Sequence, residues 1–291
     1  MADQPQVTCI ADVKAILGEG PVWGARDRAL YWLDINGRKI FRRTGQGELT
    51  SWDTPMKVGS IWPRSEGGFV AGTEAGLAFA DEPFNRFDVF ADPERALPEN
   101  RFNDGKTDRQ GRFWAGTMDN RERAATGTLY RLDPDLHLTK IDEGYRVTNG
   151  PAFSPDGSAM YHSDSARQVT YVFDVDDAGN AANRREFLRF GEGDGYPDGM
   201  TVDAEGCIWI AFWDGWCVRR FSPEGDKLSE LGMPVQRPTS CAFGGDDLKT
   251  LFITSARRDL QGTELGRQPL AGGLFAADVG IEGIAELPFA G

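Results

Sequence analysis

One unit recurs six times along this chain at nearly constant spacing. Each copy places a polar turn before a short, aromatic-rich apolar segment. These segments read YWLDI from Tyr31, FVAGT from Phe69, FWAGT from Phe113, MYHSD from Met160, IWIAF from Ile208 and LFITS from Leu251. Their starts lie 38, 44, 47, 48 and 43 residues apart. A repeat of that length is one supersecondary unit, which buries its apolar face by stacking on its neighbours. The turns are rich in Gly and Asp, as in Asp108-Arg109-Gln110-Gly111 and Asp203-Ala204-Glu205-Gly206. Such residues tolerate positive φ or bend the chain through their own hydrogen bonds, as hairpins require.

A further strand follows most of these segments, for example GLAFA and QVTYVFDV, and a fourth fits in the residues that remain. Six units of four strands predict an all-β chain, a six-bladed β-propeller with four-stranded blades, filling residues 1–291 as a single domain. A β-sandwich is the alternative, but it has no need of an in-phase repeat. The segment around Val7 to Val13 precedes the first unit. It is expected to pair with the last blade and so remove an exposed sheet edge.

Composition removes several function classes. Asp and Glu number 45 against 32 Lys and Arg, a net charge of −13. That field repels phosphate backbones and anionic headgroups, so neither nucleic acid nor a membrane is an expected partner. No apolar run approaches the ~20 residues that span a bilayer. The first residues lack a basic segment followed by an apolar one, so no secretory signal is read there. The four cysteines form no CxxC pair. Reduced thiols, a cytoplasmic location and a monomer or weak dimer are the expectation. Two histidines, without HExxH, rule out a multi-histidine zinc site, and no GxSxG supports a serine hydrolase. His162, inside an apolar segment, reads as a buried histidine with satisfied hydrogen bonds.

Equivalent positions of the blades converge on a propeller's channel. Some 10 to 12 residues before the aligned segments stand Glu19, Asn103, Asn149 and Asp198, each followed by Gly within two residues. The second and sixth units offer Lys57-Val58-Gly59 and Thr239-Ser240. Taken singly, Asn or Asp before Gly is an ordinary turn. Taken together, two carboxylates and two carboxamides at one phase call for a cation. Oxygen-only ligands suit Ca²⁺, Mg²⁺ or Mn²⁺. Zn²⁺ and Fe²⁺ stay open as the identity of this one divalent cation. The polar segment from Asp119 to Thr126 reads as a solvated hairpin loop, with a lid over the channel mouth as the alternative, and Trp209, Trp213 and Trp216 read as core and rim aromatics.

The segments LGEGPVW (17–23), RFNDGKTDRQGRFWAGTM (101–118), TNGPAFSPDG (148–157), PDGMTVDAEGCIWIA (197–211), TSCAFGG (239–245) and RQPLAGGLF (267–275) resemble the regucalcin (senescence marker protein)/gluconolactonase family over essentially the whole chain. The resemblance implies a six-bladed propeller with a divalent metal, held by Glu19, Asn149 and Asp198. It implies substrate contacts from Arg101 and Asn103, with Asn103 also a metal ligand directly or through water, and a general base in Asp198. The implied reaction is hydrolysis of a sugar lactone to the aldonic acid. Animal members carry a substrate-contacting Glu shortly after GTM; here Asp119, Asn120 and Arg121 follow, and Glu122 falls one position late. A non-catalytic calcium-binding regulator uses the same ligands and stands as the rival reading. A protein-interaction propeller is the third. Arg101 favours the enzyme, unless it serves only as an ion-pair partner of Asp104 or Asp108.

Overall fold

The computed structural model describes residues 5–291, which form six four-stranded antiparallel sheets. The fold is the six-bladed β-propeller that the repeat predicts. Contacts divide the chain into two compact units of three blades each. One unit runs to residue 51 and resumes from 190 to 285; the other takes 52–189 and 286–291. Blades 1, 5 and 6 make up the first unit, and blades 2, 3 and 4 the second. No described helix is long and apolar enough to cross a membrane.

All six aligned segments are second strands of their blades: Ala29–Asp34, Phe69–Thr73, Phe113–Asp119, Ala159–Asp164, Ile208–Trp213 and Thr250–Ser255. They are almost wholly buried. The strand Thr8–Ala11 pairs antiparallel with Leu274–Asp278 of blade 6, as expected of the N-terminal segment. That pairing protects the outer edge of the last blade.

The first strand of each blade is buried, while fourth strands such as Lys227–Gly232 are largely exposed. Small residues let first strands approach their neighbours. A Cβ on Gly59 would lie 2.3 Å from the Phe102 carbonyl oxygen, and one on Gly199 2.1 Å from Ser240 Oγ. Only glycine fits such approaches. Between blades 3 and 4 the filling is Trp114, Leu129, Tyr145, Phe153, Met160 and Phe173. Trp209, Phe243, Leu251 and Phe275 help fill the space between blades 5 and 6.

Two hairpin turns are built by one device. Asp108 Oδ1 accepts the N–H groups of Gln110 and Arg112, and its Oδ2 accepts Arg112 Nε and the Trp114 indole. Asp203 repeats this with Glu205, Cys207, Trp209 and Arg220. The spacing is Asp-x-x-Gly-x-x-Trp, with the Gly at positive φ in both. A buried carboxylate thus closes the turn and anchors the tryptophan that packs against the next blade.

His162 is fully buried, as its sequence position implies, but it is not satisfied. Neither ring nitrogen has a hydrogen-bond partner among the described residues. Its ring instead meets Tyr145 edge to face at 4.9 Å. Burial, aided by the charge of Arg184, pushes its pKa down to about 3. An unfolded histidine titrates near ~6.5. Below that pH the unfolded chain binds a proton that the folded one refuses. The contribution to stability is therefore complete above pH ~6.5 and is lost as the pH falls, at up to about 1.4 kcal/mol per unit. Replacing His162 by Phe should remove about 2 kcal/mol of the stability change between pH ~6.5 and ~5. Urea unfolding of both proteins across that range checks this; parallel curves would mean that the buried ring takes up the proton.

Candidate active site

Every first strand breaks register at the phase that the sequence singles out. The breaks fall between Glu19 and Val22, Val58 and Ser60, Phe102 and Gly105, Asn149 and Ala152, Pro197 and Met200, and Pro238 and Ser240. A bulge turns a side chain away from the regular pleat and is common beside active sites. Here the same break re-aims Glu19, Asn103, Asn149 and Asp198 in their separate blades. All four are buried polar residues.

In the unit of blades 2 to 4, three predicted residues form a hydrogen-bonded chain. Arg101 Nη1 donates to Asn103 Oδ1 at 2.6 Å and to the Phe102 carbonyl at 2.9 Å. Asn103 Nδ2 donates to the Thr148 carbonyl at 2.7 Å and to Asn149 Oδ1 at 3.1 Å. Asn149 Nδ2 donates to Ser165 Oγ at 2.7 Å. This order fixes both amides. The Asn103 oxygen faces a guanidinium, whose positive charge opposes a second cation there, while the Asn149 oxygen accepts from a neutral amide and keeps a lone pair. Asn149 is accordingly the better placed of the two to offer oxygen to a cation. Asn103 is placed to carry orientation from Arg101 to Asn149.

Three further residues support this hydrogen-bonded chain, and the sequence pattern assigns none of them a role of this kind. Asp104 accepts the N–H of Gly105 and of Gly150, each at 2.9 Å, tying blade 3 to the Asn149 bulge. Burial raises its pKa to about 6, with Lys106 and those two N–H groups opposing. Ser165 holds the Asn149 amide. Asn120 Oδ1 accepts both Arg101 Nε and Lys57 Nζ at 3.1 Å. Asp108 is engaged by Arg112 and Trp114 in the hairpin device and not in an ion pair made for Arg101. Arg101 also borders a cleft lined by Glu74, Glu94, Pro98 and Phe102.

The segment from Asp119 to Thr126 is organised by its first residue. The Asp119 carboxylate accepts the N–H groups of Arg121, Arg123 and Ala124. Those bonds, led by Arg121 and Ala124, hold its pKa below the usual carboxylate range. The turn is closed on itself, and through Asn120 it touches Arg101.

In the unit of blades 1, 5 and 6, Glu19 and Asp198 are 6% and 7% exposed. Glu19 Oε2 accepts the N–H of Gly20 at 3.1 Å, and Gly20 has a φ of +54°. Gly199 follows Asp198 where no larger residue clears Ser240. Two carboxylates are therefore held out of water on bulged strands. Removal from water is costly for an ionised group unless a cation or strong donors attend it. Oxygen donors of this kind fit a divalent cation in their chemistry. Among the described residues no cluster of three or more His, Cys, Asp or Glu side chains stands ready for a metal.

Residues 17–257 match the family model described as the SMP-30/gluconolactonase/LRE-like region. The chain is 38% identical to 6-deoxy-6-sulfogluconolactonase of Pseudomonas putida, covering 97% of this chain and 98% of the relative. It is 37% identical to L-arabinolactonase of Azospirillum brasilense, covering 98% and 96%. Among solved structures it resembles a calcium-binding protein, regucalcin, from Agrobacterium tumefaciens. The TM-score there is 0.92 at 26% identity, over 99% of this chain and 97% of that one.

Proposed function

Because this chain belongs to the SMP-30/gluconolactonase family, we infer that it is a sugar lactonase that hydrolyses an aldonolactone to the aldonic acid with a divalent cation. The observation that carries this reading is the Arg101 guanidinium hydrogen-bonded through Asn103 to Asn149, two buried carboxamides at the repeat phase that Glu19 and Asp198 share. Glu19, Asn149 and Asp198 would hold the ion. When bound, it supplies positive charge to the lactone carbonyl oxygen, where negative charge develops as water attacks.

The chain's own residues perform the remaining work. Asp198 takes a proton from the attacking water as the new C–O bond forms. The ring C–O bond then breaks, and the ring oxygen leaves as a hydroxyl after taking up a proton. The products are an aldonate and one proton for each lactone opened. Arg101 binds hydroxyls of the sugar or the nascent carboxylate through charge-assisted hydrogen bonds. Asn103 holds Arg101 in register with Asn149, and Asn120 supports the guanidinium from the other side.

A calcium-binding regulator is the second reading, supported by the name of the Agrobacterium tumefaciens protein. Arg101 counts against it, because a site built only for a cation gains nothing from a neighbouring guanidinium. The released proton gives the test. A pH-indicator assay should detect turnover across glucono-, xylono-, arabinono- and galactono-lactones and a 6-sulfo-substituted gluconolactone. Exhaustive chelation should abolish it, and one of Ca²⁺, Zn²⁺, Mn²⁺, Mg²⁺ or Fe²⁺ should restore it. Turnover untouched by chelation would remove the cation from the reading. A cation-loaded protein that opens none of the lactones would favour the regulator.

A further inference from the structure

The mouth of blade 5 carries aromatic side chains that the core does not need. Tyr196 opens the first strand of this blade and is 41% exposed. It stands two residues before Asp198, roughly 7 Å along an extended strand. Its register partner across the sheet is Trp213, at the end of the second strand. Residues directly opposite in an antiparallel pair present their side chains on one face.

Trp213 is held rigidly. The Arg237 guanidinium lies 4.7 Å from its ring centroid. That guanidinium is itself fixed by Asp214 Oδ1 at 2.6 Å and by the Arg258 carbonyl. Trp216 ends the next turn at a φ of +58°, a conformation unfavourable for a bulky L-residue. Its backbone is bonded on both sides, N–H to the Gln236 carbonyl and carbonyl to the Met233 N–H, yet the residue is 43% exposed. The turn also packs tightly on the strand entry: a Cβ on Gly195 would come within 2.8 Å of the Gly215 backbone. Phe84, at a similar positive φ, is fully buried, whereas Trp216 is presented to solvent by a frame bonded on both sides.

We propose that Tyr196, Trp213 and Trp216 form an aromatic rim that receives the C–H face of the lactone ring and sets substrate preference. This rests on the lactonase reading, which places the carbonyl carbon beside Asp198. Sugar rings present apolar C–H faces between polar hydroxyl edges. The negatively charged face of an aromatic ring attracts such C–H groups, and the contact removes apolar surface from water. The rim binds the ring equally before and during reaction, so its loss falls on KM and not on kcat.

The test uses the full-length, cation-loaded protein. With D-glucono-1,5-lactone, Tyr196→Ala and Trp216→Ala should each raise KM about tenfold and leave kcat within about twofold. Trp216→Phe should recover most of that loss. The second probe is D-glucono-δ-lactam, a ring analogue that is not hydrolysed, followed by tryptophan emission. Its Kd should rise about tenfold in each alanine variant, with unchanged melting temperature. KM and Kd within twofold of wild type in both alanine variants would overturn the rim. A loss confined to kcat would overturn it as well. If the wild type opens no lactone, the lactonase reading fails, and the lactam Kd series still decides for or against the rim.

Discussion

Asp198→Asn, loaded with its cation, should lose about 10²- to 10⁴-fold in kcat on its best lactone. The substitution keeps an oxygen in the same place and nearly the same volume, so the bulge between Pro197 and Met200 and the close pass of Gly199 by Ser240 survive. It removes the one thing a carboxamide cannot do, which is to accept a proton from water. Because Asp198 also belongs to the proposed ligand set, the cation content of the variant has to be measured alongside its rate. A loss of rate with the ion retained assigns the proton to Asp198. Near-normal kcat with the ion retained would place the proton elsewhere. The pH dependence separates the cases further: a base that must be ionised gives a rate that falls on the acid side. The variant should lack that limb.

The sequence reveals the parts of this molecule that repeat and hides the parts that do not. All six second strands begin within two residues of their aligned segments, because aromatic and β-branched residues at constant phase mark the stacked face of each blade. The first strands are harder to see. Asn149-Gly150 and Asp198-Gly199 carry turn chemistry, and a bulge uses the same residues as a turn for the same backbone reason. Their common phase shows that they matter; nothing in the pattern shows that each sits at a register break. The contacts around Arg101 are equally silent in sequence. Asn103 meets Asn149 across 46 positions, and Arg101 meets Asn120 across 19. Such pairs depend on blade packing and not on local spacing. Asp108 has the type of an ion-pair partner for Arg101, but its turn, Arg112 and Trp114 engage it. The burial of His162 is readable from its strand, whereas its lack of a partner depends on which side chains surround it.

Glu19→Ala should weaken cation binding by more than about 100-fold, beyond the 10- to 100-fold typical of losing a residue that merely supports a ligand. Glu19 is one of two carboxylates in the proposed set, so its loss removes both an oxygen and half of the formal negative charge facing the ion. The competing view is that Glu19 is a turn residue whose use is to accept the Gly20 N–H. The two views differ in how stability responds to the ion. A cation that binds only the folded chain adds about 2.7 kcal/mol when present at 100 times its Kd. The wild type should show that gain, and Glu19→Ala should show almost none at the same concentration. A turn residue would instead lower stability equally with and without the cation and leave the gain intact. Thermal unfolding of both proteins, titrated with each candidate ion, distinguishes these outcomes without any assay of turnover. A full stabilising response in Glu19→Ala would remove Glu19 from the ligand set and leave Asp198 as its only carboxylate.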